Sequence, residues 1–372
     1  MSSAIRKAVK IPVVAVGRIK DPVQAEQILR DGHADLIGMV RAQIADPWLA
    51  NKALQGMNDS IRTCLSCNQD CIGRVGLNKT IGCVQNPAVG QEKTRGEGCL
   101  KPAPKSRLVL VAGGGPAGLA AAKTAALRGH RVILWEKEDV CGGQVRLAAR
   151  LPYREEFLDL IRNLMHCLEE AGVKLRTGCT ASPEKILAEK PDAVIVATGS
   201  LPQHPPALAS GGENLYTVRQ VLEEEPELGQ NVLVVDQQGF YQAAGVAELL
   251  AGRGKRVEIV SPNLYVGQGL GPTLDLEMWY RRAHQLGITM TPNVTVLSVK
   301  GSTVRGVHNY SGREVEWHGV DSVVTAAPNR VNDELYFALK GKVAALYRIG
   351  DCLAPRRVDA AILEGYRVAA GL

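Results

Sequence analysis

Cys64, Cys67, Cys71 and Cys83 fall within twenty residues, spaced Cys-x2-Cys-x3-Cys-x11-Cys, just before Val84-Gln-Asn-Pro87. Thiolates are soft ligands that suit iron–sulfur clusters or zinc. Zinc ribbons usually show two separated Cys-x2-Cys pairs. Here three cysteines crowd into eight residues and the fourth stands alone, which favours a 4Fe–4S cluster over zinc. Unligated buried thiols are a poor account of such density. The remaining five cysteines (Cys99, Cys141, Cys167, Cys179 and Cys352) are scattered.

A second group of residues is suited to holding phosphate. Gly113, Gly115 and Gly118 form a Gly-x-Gly-x-x-Gly turn between an apolar run and a helix-forming stretch. The first glycine permits the tight turn, the second lets backbone approach a pyrophosphate, and the third lets helix and strand pack closely. Glu136 lies 18 residues after Gly118, where an acid accepts ribose hydroxyls. Gly143 and Gln144 follow the acid, Thr198 and Gly199 end another apolar strand, and Gly350-Asp351 closes the set. Asp351 leans the site toward FAD, while the glycines and Glu136 serve FAD and ADP equally. Cys141 has no Cys-x-x-Cys partner and reads as a packing residue.

These groups need a scaffold, and the sequence supplies an α/β one. Val13–Val16 is a short buried-type strand, followed by a helix with Asp21 as N-cap and Pro22 at its first position. Ala34–Val40 is a second strand, with a helix from about Arg41. That is the period of a TIM (β/α)8 barrel, of which two units are a quarter. Residues 1–60 are therefore expected to be the tail of a barrel, and residues 61–106 the iron–sulfur loop with a polar linker from Glu92 to Ser106. Residues 107–230 and 340–372 are expected to form an FAD/ADP-binding Rossmann-like domain, with a second nucleotide-binding-like domain, 231–339, inserted.

The inserted unit starts on strand Asn231–Val235, but counting places Asp236, Gln238 and Tyr241 where the three glycines should stand. An aspartate there repels a pyrophosphate, and the next strand ends in Ser261-Pro262 with neither a ribose acid nor an arginine. NAD(P)H binding by this half is expected to be poor or absent; an unusual working site is the alternative.

The net charge of +6 is uneven: residues 1–107 carry 16 Lys/Arg against 9 Asp/Glu, and the remainder 28 against 29. The excess suits anionic cofactors or a solvated surface. No basic run with interleaved aromatics appears, which argues against nucleic acid. No apolar run reaches the roughly eighteen residues of a membrane span, and Met1-Ser-Ser-Ala has no signal-peptide pattern. A soluble cytoplasmic protein follows, in whose reducing compartment the cysteine cluster reads as metal ligands rather than disulfides.

With barrel tail, cysteine cluster and FAD-type domain in this order, the chain resembles the multi-cofactor branch of the Old Yellow Enzyme family, the NADH:flavin oxidoreductases of trimethylamine dehydrogenase and 2,4-dienoyl-CoA reductase type. The resemblance rests on Val16-Gly-Arg-Ile19, Ile37-Gly-Met-Val-Arg41 with Ala45-Asp-Pro47, the four cysteines followed by Asn86-Pro87, and the Gly-rich and Gly-Asp motifs. It implies that Gly17, Arg18, Gly38 and Arg41 hold an FMN phosphate, that substrate and FMN exchange a hydride, and that the cluster passes single electrons. The cysteine spacing looks like the dienoyl-CoA reductase side. The degenerate second unit looks like the amine dehydrogenase and N-demethylase side, and weighs more because cofactor binding depends on it directly.

The resemblance also implies that most of the barrel, with its acid/base residues, precedes this sequence. No catalytic residue is assigned by matching, and the 372-residue chain alone is expected not to turn over substrate. The leading reading is an amine dehydrogenase or N-demethylase that acts on a small molecule and passes electrons to an electron-transfer flavoprotein or ferredoxin. An NAD(P)H-fed dienoyl-CoA or enoate reductase is the same-class rival; a non-catalytic electron-transfer subunit is the rival from another class. A homo-oligomer is compatible with either.

Overall fold

The structure, a computed structural model, describes residues 1–96, 98–209 and 212–372. Strands Val14–Val16 and Leu36–Gly38 pair in parallel, Val14 opposite Leu36 and Val16 opposite Gly38. Helix Pro22–Arg30 connects them, its first turn capped by Asp21, whose Oδ1 accepts the Gln24 N–H at 2.8 Å. Ala15, Ile19 and Ala34 form a small buried cluster in this unit, and Val16 and Val40 remain about 70% exposed. Two short helices, Val40–Ala45 and Leu49–Leu54, lead to the cysteine loop.

Residues 61–106 are mainly irregular, with single helical turns at Ile72–Val75 and Glu92–Arg95. The second turn lies inside the stretch expected to be a polar linker, and Glu97 of that stretch is outside the described residues.

The first nucleotide sheet is parallel and five-stranded, in the order Leu346–Arg348, Ala193–Val196, Leu108–Ala112, Arg131–Trp135, Lys174–Arg176. Its near-continuous apolar strands are what burial on both faces demands. Helix Pro116–Leu127 lies on the C-terminal helix Val358–Ala370 through small residues. A Cβ on Gly365 would fall inside the 3.0 Å that real Cβ atoms keep from other heavy atoms, against the Ala117 carbonyl.

The second sheet runs Thr289–Thr291, Arg256–Val260, Asn231–Asp236, Ser322–Ala326, Leu215–Thr217, also parallel. Its membership corrects the expected division at residue 230. Leu215–Thr217 pairs with Val323–Thr325, so this strand, with helix Val218–Glu223 behind it, belongs to the inserted unit. Conversely Leu335, Tyr336 and Leu339, expected in the inserted unit, pack against Leu110 and Val194 of the first. A three-stranded antiparallel sheet (Val294–Lys300, Thr303–His308, Glu314–Trp317) covers one face of the second unit. Strand Ser200–Leu201 pairs with Arg330–Val331 and ties the two units together. Among the described residues no helix is long and apolar enough to cross a membrane.

Candidate functional site

Cys64, Cys67, Cys71 and Cys83 border one cavity, together with Leu65, Val84, Asp70 and Arg41. The loop reaches this shape through Ser66 and Asn68, both at φ 53°, a region that asparagine tolerates better than most residues. The Gly82 N–H donates to the Asp70 carbonyl at 2.8 Å, bringing Cys83 back beside Cys71. Leu65, Val84 and Cys67 pack into the core of the first nucleotide unit. Burial pushes the Cys67 thiol up to about 12, helped by Cys83, Cys71 and Cys64, and it raises Cys64 and Cys83 as well. Backbone N–H groups of Ser66, Gln69, Gln85 and Asn86 offset this by donating to the sulfurs. Among the described residues no three His, Cys, Asp or Glu side chains gather closely enough to chelate a single ion.

Asp46 anchors the loop to the preceding helices. Its buried carboxylate accepts from Lys52 Nζ at 2.7 Å, the Arg62 N–H at 2.9 Å and the Trp48 N–H at 3.1 Å. Burial works to raise this carboxyl, but the Arg62 amide and Lys52 outweigh it and hold it below the usual carboxylate range. Asn86 Nδ2 adds a bond to the Ile44 carbonyl at 3.1 Å, and Gln85 Nε2 one to the Thr63 carbonyl at 2.6 Å.

The first nucleotide turn shows what each glycine is for. A Cβ on Gly113 (φ 114°) would press on the Ala197 carbonyl and one on Gly118 on the Gly113 carbonyl, both inside 3.0 Å. A Cβ on Gly115 would meet nothing within 4 Å, so the open side of the turn is at Gly115, at the head of helix Pro116–Leu127. Glu136 is buried, accepting the Gly114 N–H at 2.6 Å on Oε2 and the Glu138 N–H at 2.9 Å on Oε1. It braces the turn and keeps a lone pair on each oxygen for a ribose. Cys141 is buried against Gly114, its thiol raised to about 11 by burial and then by Glu136, as a packing residue should be.

Gly143 (φ 51°) heads a short helix beside Gly115. Gln144 Nε2 donates to Asp351 Oδ2 and to Ser200 Oγ, both at 3.0 Å, and Ser200 Oγ donates to Asp351 Oδ2 at 2.8 Å. Asn329 of the second unit completes the group, donating to Gln144 Oε1 and Ser200 Oγ at 3.1 Å. Thr198 Oγ1 donates to the Asn332 carbonyl at 2.5 Å, with Gly199 (φ 75°) beside it. The sequence singled out Gln144, Thr198, Gly199 and Asp351; Ser200, Asn329 and Asn332 escaped it, since only tertiary contact brings them here. The one available signal was that Asn329 follows strand Ser322–Ala326 as Gly199 follows Ala193–Val196.

At the barrel-like end, the Val16–Gly38 pairing sets Gly17-Arg18 and Gly38 through Arg41 side by side. Gly17 (φ 125°) and Arg18 (φ 54°) turn the chain, and a Cβ on Gly38 would come within 2.7 Å of Val16. The two arginine heads have separate partners, however. Arg18 donates to Glu156 Oε1 at 3.0 Å, while Arg41 donates to Asn68 Oδ1 at 2.6 Å. The strand pairing brings these four residues together, with both arginine heads hydrogen-bonded to side chains of other segments.

In the second unit the expected positions need correction. Val235 pairs with Val260 as Ala112 pairs with Trp135, yet helix Tyr241–Gly252 starts two residues later than its counterpart. Tyr241 is thus the first helical residue and not a turn position. Asp236 Oδ1 accepts the Gln238 N–H at 2.9 Å and the Gly239 N–H at 2.8 Å. The Gly269 N–H donates to the Gly239 carbonyl at 2.7 Å, laying the loop after Ser261-Pro262 over the turn. The amides that would face a pyrophosphate are filled by the protein's own carboxylate.

Residues 107–365 match the pyridine nucleotide-disulphide oxidoreductase family, and residues 1–60 match the NADH:flavin oxidoreductase / NADH oxidase family. A metal reductase of Desulforamulus reducens is 34% identical, the match covering 99% of this chain and 59% of the relative. An N,N-dimethylglycine/sarcosine dehydrogenase of Chromohalobacter salexigens is 33% identical over 99% of this chain and 58% of its own. The structure of histamine dehydrogenase from Rhizobium sp. 4-9 superposes with a TM-score of 0.91 at 27% identity, covering 99% of this chain and 59% of that one. The chain spans less than two thirds of the length of each of these relatives.

Proposed function

The chain belongs to the pyridine nucleotide-disulphide oxidoreductase family, with a segment of the NADH:flavin oxidoreductase / NADH oxidase family ahead of that domain, and from this premise we propose that it carries electrons between flavins through a 4Fe–4S cluster in an enzyme oxidising methylated or other small amines. The observation that carries the reading is the shared cavity of Cys64, Cys67, Cys71 and Cys83. Four sulfurs around one space support a cluster over zinc, whose sulfur ligands converge to about 2.3 Å from a single point. The amide donors around these sulfurs are of the kind that tunes such a cluster.

Gly17, Arg18, Gly38 and Arg41 would hold an FMN phosphate. Gly113, Gly115, Gly118, Glu136 and Gly143 would hold the diphosphate and ribose of FAD or ADP, and the Gln144–Ser200–Asp351 group supports FAD. When bound, the flavins exchange hydride equivalents and the cluster supplies one-electron steps. The chain's own residues bind and orient these groups, and none is assigned a proton to move.

The choice of amine oxidation rests on the second unit. Asp236 already satisfies its turn amides, which supports electrons leaving to a protein acceptor, an electron-transfer flavoprotein or ferredoxin, rather than arriving from NAD(P)H. Likeness to the sarcosine and histamine dehydrogenases points the same way. A second reading, an NAD(P)H-fed reductase of enones or unsaturated thioesters, is favoured by the NADH oxidase family of residues 1–60. The test is anaerobic reconstitution, with iron and flavin counted, followed by titration with NADH. Bound iron and a flavin that NADH leaves oxidised are expected. Rapid bleaching would favour the reductase; zinc, or no metal at all, would remove the relay.

A further inference from the structure

The second nucleotide unit contains one long connection. Fifteen residues, 261–275, separate strand Arg256–Val260 from helix Leu276–Gln285, where most connections in α/β units take about 2–6. The segment is firmly seated. Val266, Leu270 and Thr273 are buried, the first two in the core of the second unit. The Thr273 hydroxyl donates to the Leu270 carbonyl, and the Tyr280 hydroxyl to the Val266 carbonyl, both at 3.0 Å. Part of the segment lies on the self-filled turn: besides the Gly269–Gly239 hydrogen bond, a Cβ on Gly269 would stand 2.8 Å from the Gly239 carbonyl oxygen. A later part lies on the cysteine loop. Asn68 Nδ2 donates to the Thr273 carbonyl at 3.0 Å, and a Cβ on Gly73 would stand 3.5 Å from the Pro272 carbonyl oxygen. Asn68 follows Cys67, and the Gly73 N–H donates to the Asn68 carbonyl at 2.8 Å, closing the chain around Cys71.

We propose that residues 261–275 are a strap by which the second nucleotide unit holds the cysteine loop in the shape a cluster needs, with Asn68 and Thr273 as its positioning residues. The proposal rests on the cluster reading above, and it gives the second unit a task that a turn filled by its own carboxylate leaves intact. The cysteines stand on a loop with little regular structure, so their placement depends on contacts from outside it. Asn68 has φ 53°, a backbone state that side chains seldom adopt unless held there. Its bond to a buried segment of the second unit holds it, and the Gly73–Asn68 bond carries the constraint around Cys71. The strap acts through shape alone, with no bond made or broken. Loosening it at Gly269, which does not border the cysteine cavity, is therefore felt at the cysteines.

The test uses the full chain, reconstituted anaerobically. Iron release to a ferrous chelator, deuterium uptake by residues 64–73 and electron paramagnetic resonance of the dithionite-reduced cluster are followed. Asn68→Asp tolerates the positive φ but cannot donate to Thr273. It should release iron about tenfold faster and take up deuterium sooner, because a buried carbonyl loses its donor. Gly269→Ala pushes the strap off the turn and should do the same from a distance, with altered g values at full iron content. Gly229→Ala is the control. Its Cβ would stand 2.2 Å from the Asp321 Cβ, at the opposite end of strand Asn231–Asp236 from the turn. It should loosen the second unit yet keep the parent's iron release and g values. Thr273→Val, which deletes only the hydroxyl bonded to Leu270, takes the place of Gly269→Ala if that variant does not fold. Parent-like release and spectrum in the strap variants overturn the proposal, and so does a control that matches them. A parent chain without iron overturns the cluster reading itself, and this inference with it.

Discussion

Replacing Gly115 and Gly118 by alanine, one at a time, separates the two tasks glycine performs in the first nucleotide turn. Gly115 has φ −73° and ψ 177°, a conformation open to any residue, and an added Cβ meets nothing within 4 Å. Stiffening the unfolded chain stabilises by about 0.4–1 kcal/mol. Losing glycine at the N-cap costs a similar amount, on the order of 0.5–1 kcal/mol. The two nearly cancel, so Gly115→Ala should melt within about 2 °C of the parent. Its methyl stands on the open side of the turn, where a pyrophosphate must approach backbone, and should weaken FAD or ADP about tenfold, ~1.4 kcal/mol. Gly118→Ala forces a carbon against the Gly113 carbonyl inside 3.0 Å. Overpacking of that kind costs about 1–3 kcal/mol and lowers the melting temperature by several degrees even without ligand. Thermal unfolding of apoprotein and fluorescence titration with FAD and ADP measure the two effects. If Gly115→Ala melts as low as Gly118→Ala, or binds both nucleotides like the parent, the division of labour is wrong.

Asp46→Ala should cost about 2–3 kcal/mol by stranding Lys52 and the Arg62 amide, and should speed iron loss from reconstituted protein, read by chelator competition. Because the Asp46 carboxyl is held low in the fold, its contribution is complete above the unfolded value near 3.8 and is lost as pH falls below it; Asp46→Asn should flatten that acid limb in denaturant titrations. His130 is shifted downward by burial and by Arg128 and Arg107. The unfolded chain therefore takes up that proton first, and stability should fall as pH drops below about 6.5, less steeply in His130→Gln. Asp236→Ala should lower stability by about 1–2 kcal/mol as two amides lose their acceptor, yet gain no NADH affinity, since Gly269 still covers the turn; tight NADH binding by this variant would refute the self-filled site.

Local signals were legible in the sequence and long-range ones were not. Asp21 and Pro22 start their helix where expected because a cap acts within one turn. Gly113, Gly115 and Gly118 were identifiable because the strand, turn and helix that use them are contiguous. The four cysteines were recognisable as a set by spacing alone, and they do share a cavity. Leu215–Thr217 was misplaced because three residues carry little pattern and its sheet partner lies about a hundred residues on. Tyr241 was set in the turn because two additional residues there leave no compositional trace. Only the family resemblance pointed to Arg18 and Arg41 as phosphate ligands. Their hydrogen bonds to Glu156 and Asn68 join them to other units, and no period or spacing encodes such an encounter.

The first nucleotide sheet takes its edge strand, Leu346–Arg348, and the helix packed on Pro116–Leu127, namely Val358–Ala370, from beyond the inserted unit. During synthesis, the five strands of the inserted parallel sheet, the last ending at Ala326, are complete before the unit around it has its last one, which begins at Leu346. Until that strand and the helix after it are made, the outer unit has an unpaired edge at Ala193–Val196 and a bare helix face at Ala117 and Ala121. Closing that sheet spans a separation of roughly 150 residues, the kind of distant pairing that slows folding and exposes a nascent protein to aggregation. Completion of the Gln144–Ser200–Asp351 group, whose Asp351 arrives with the same late segment, accordingly waits for that segment.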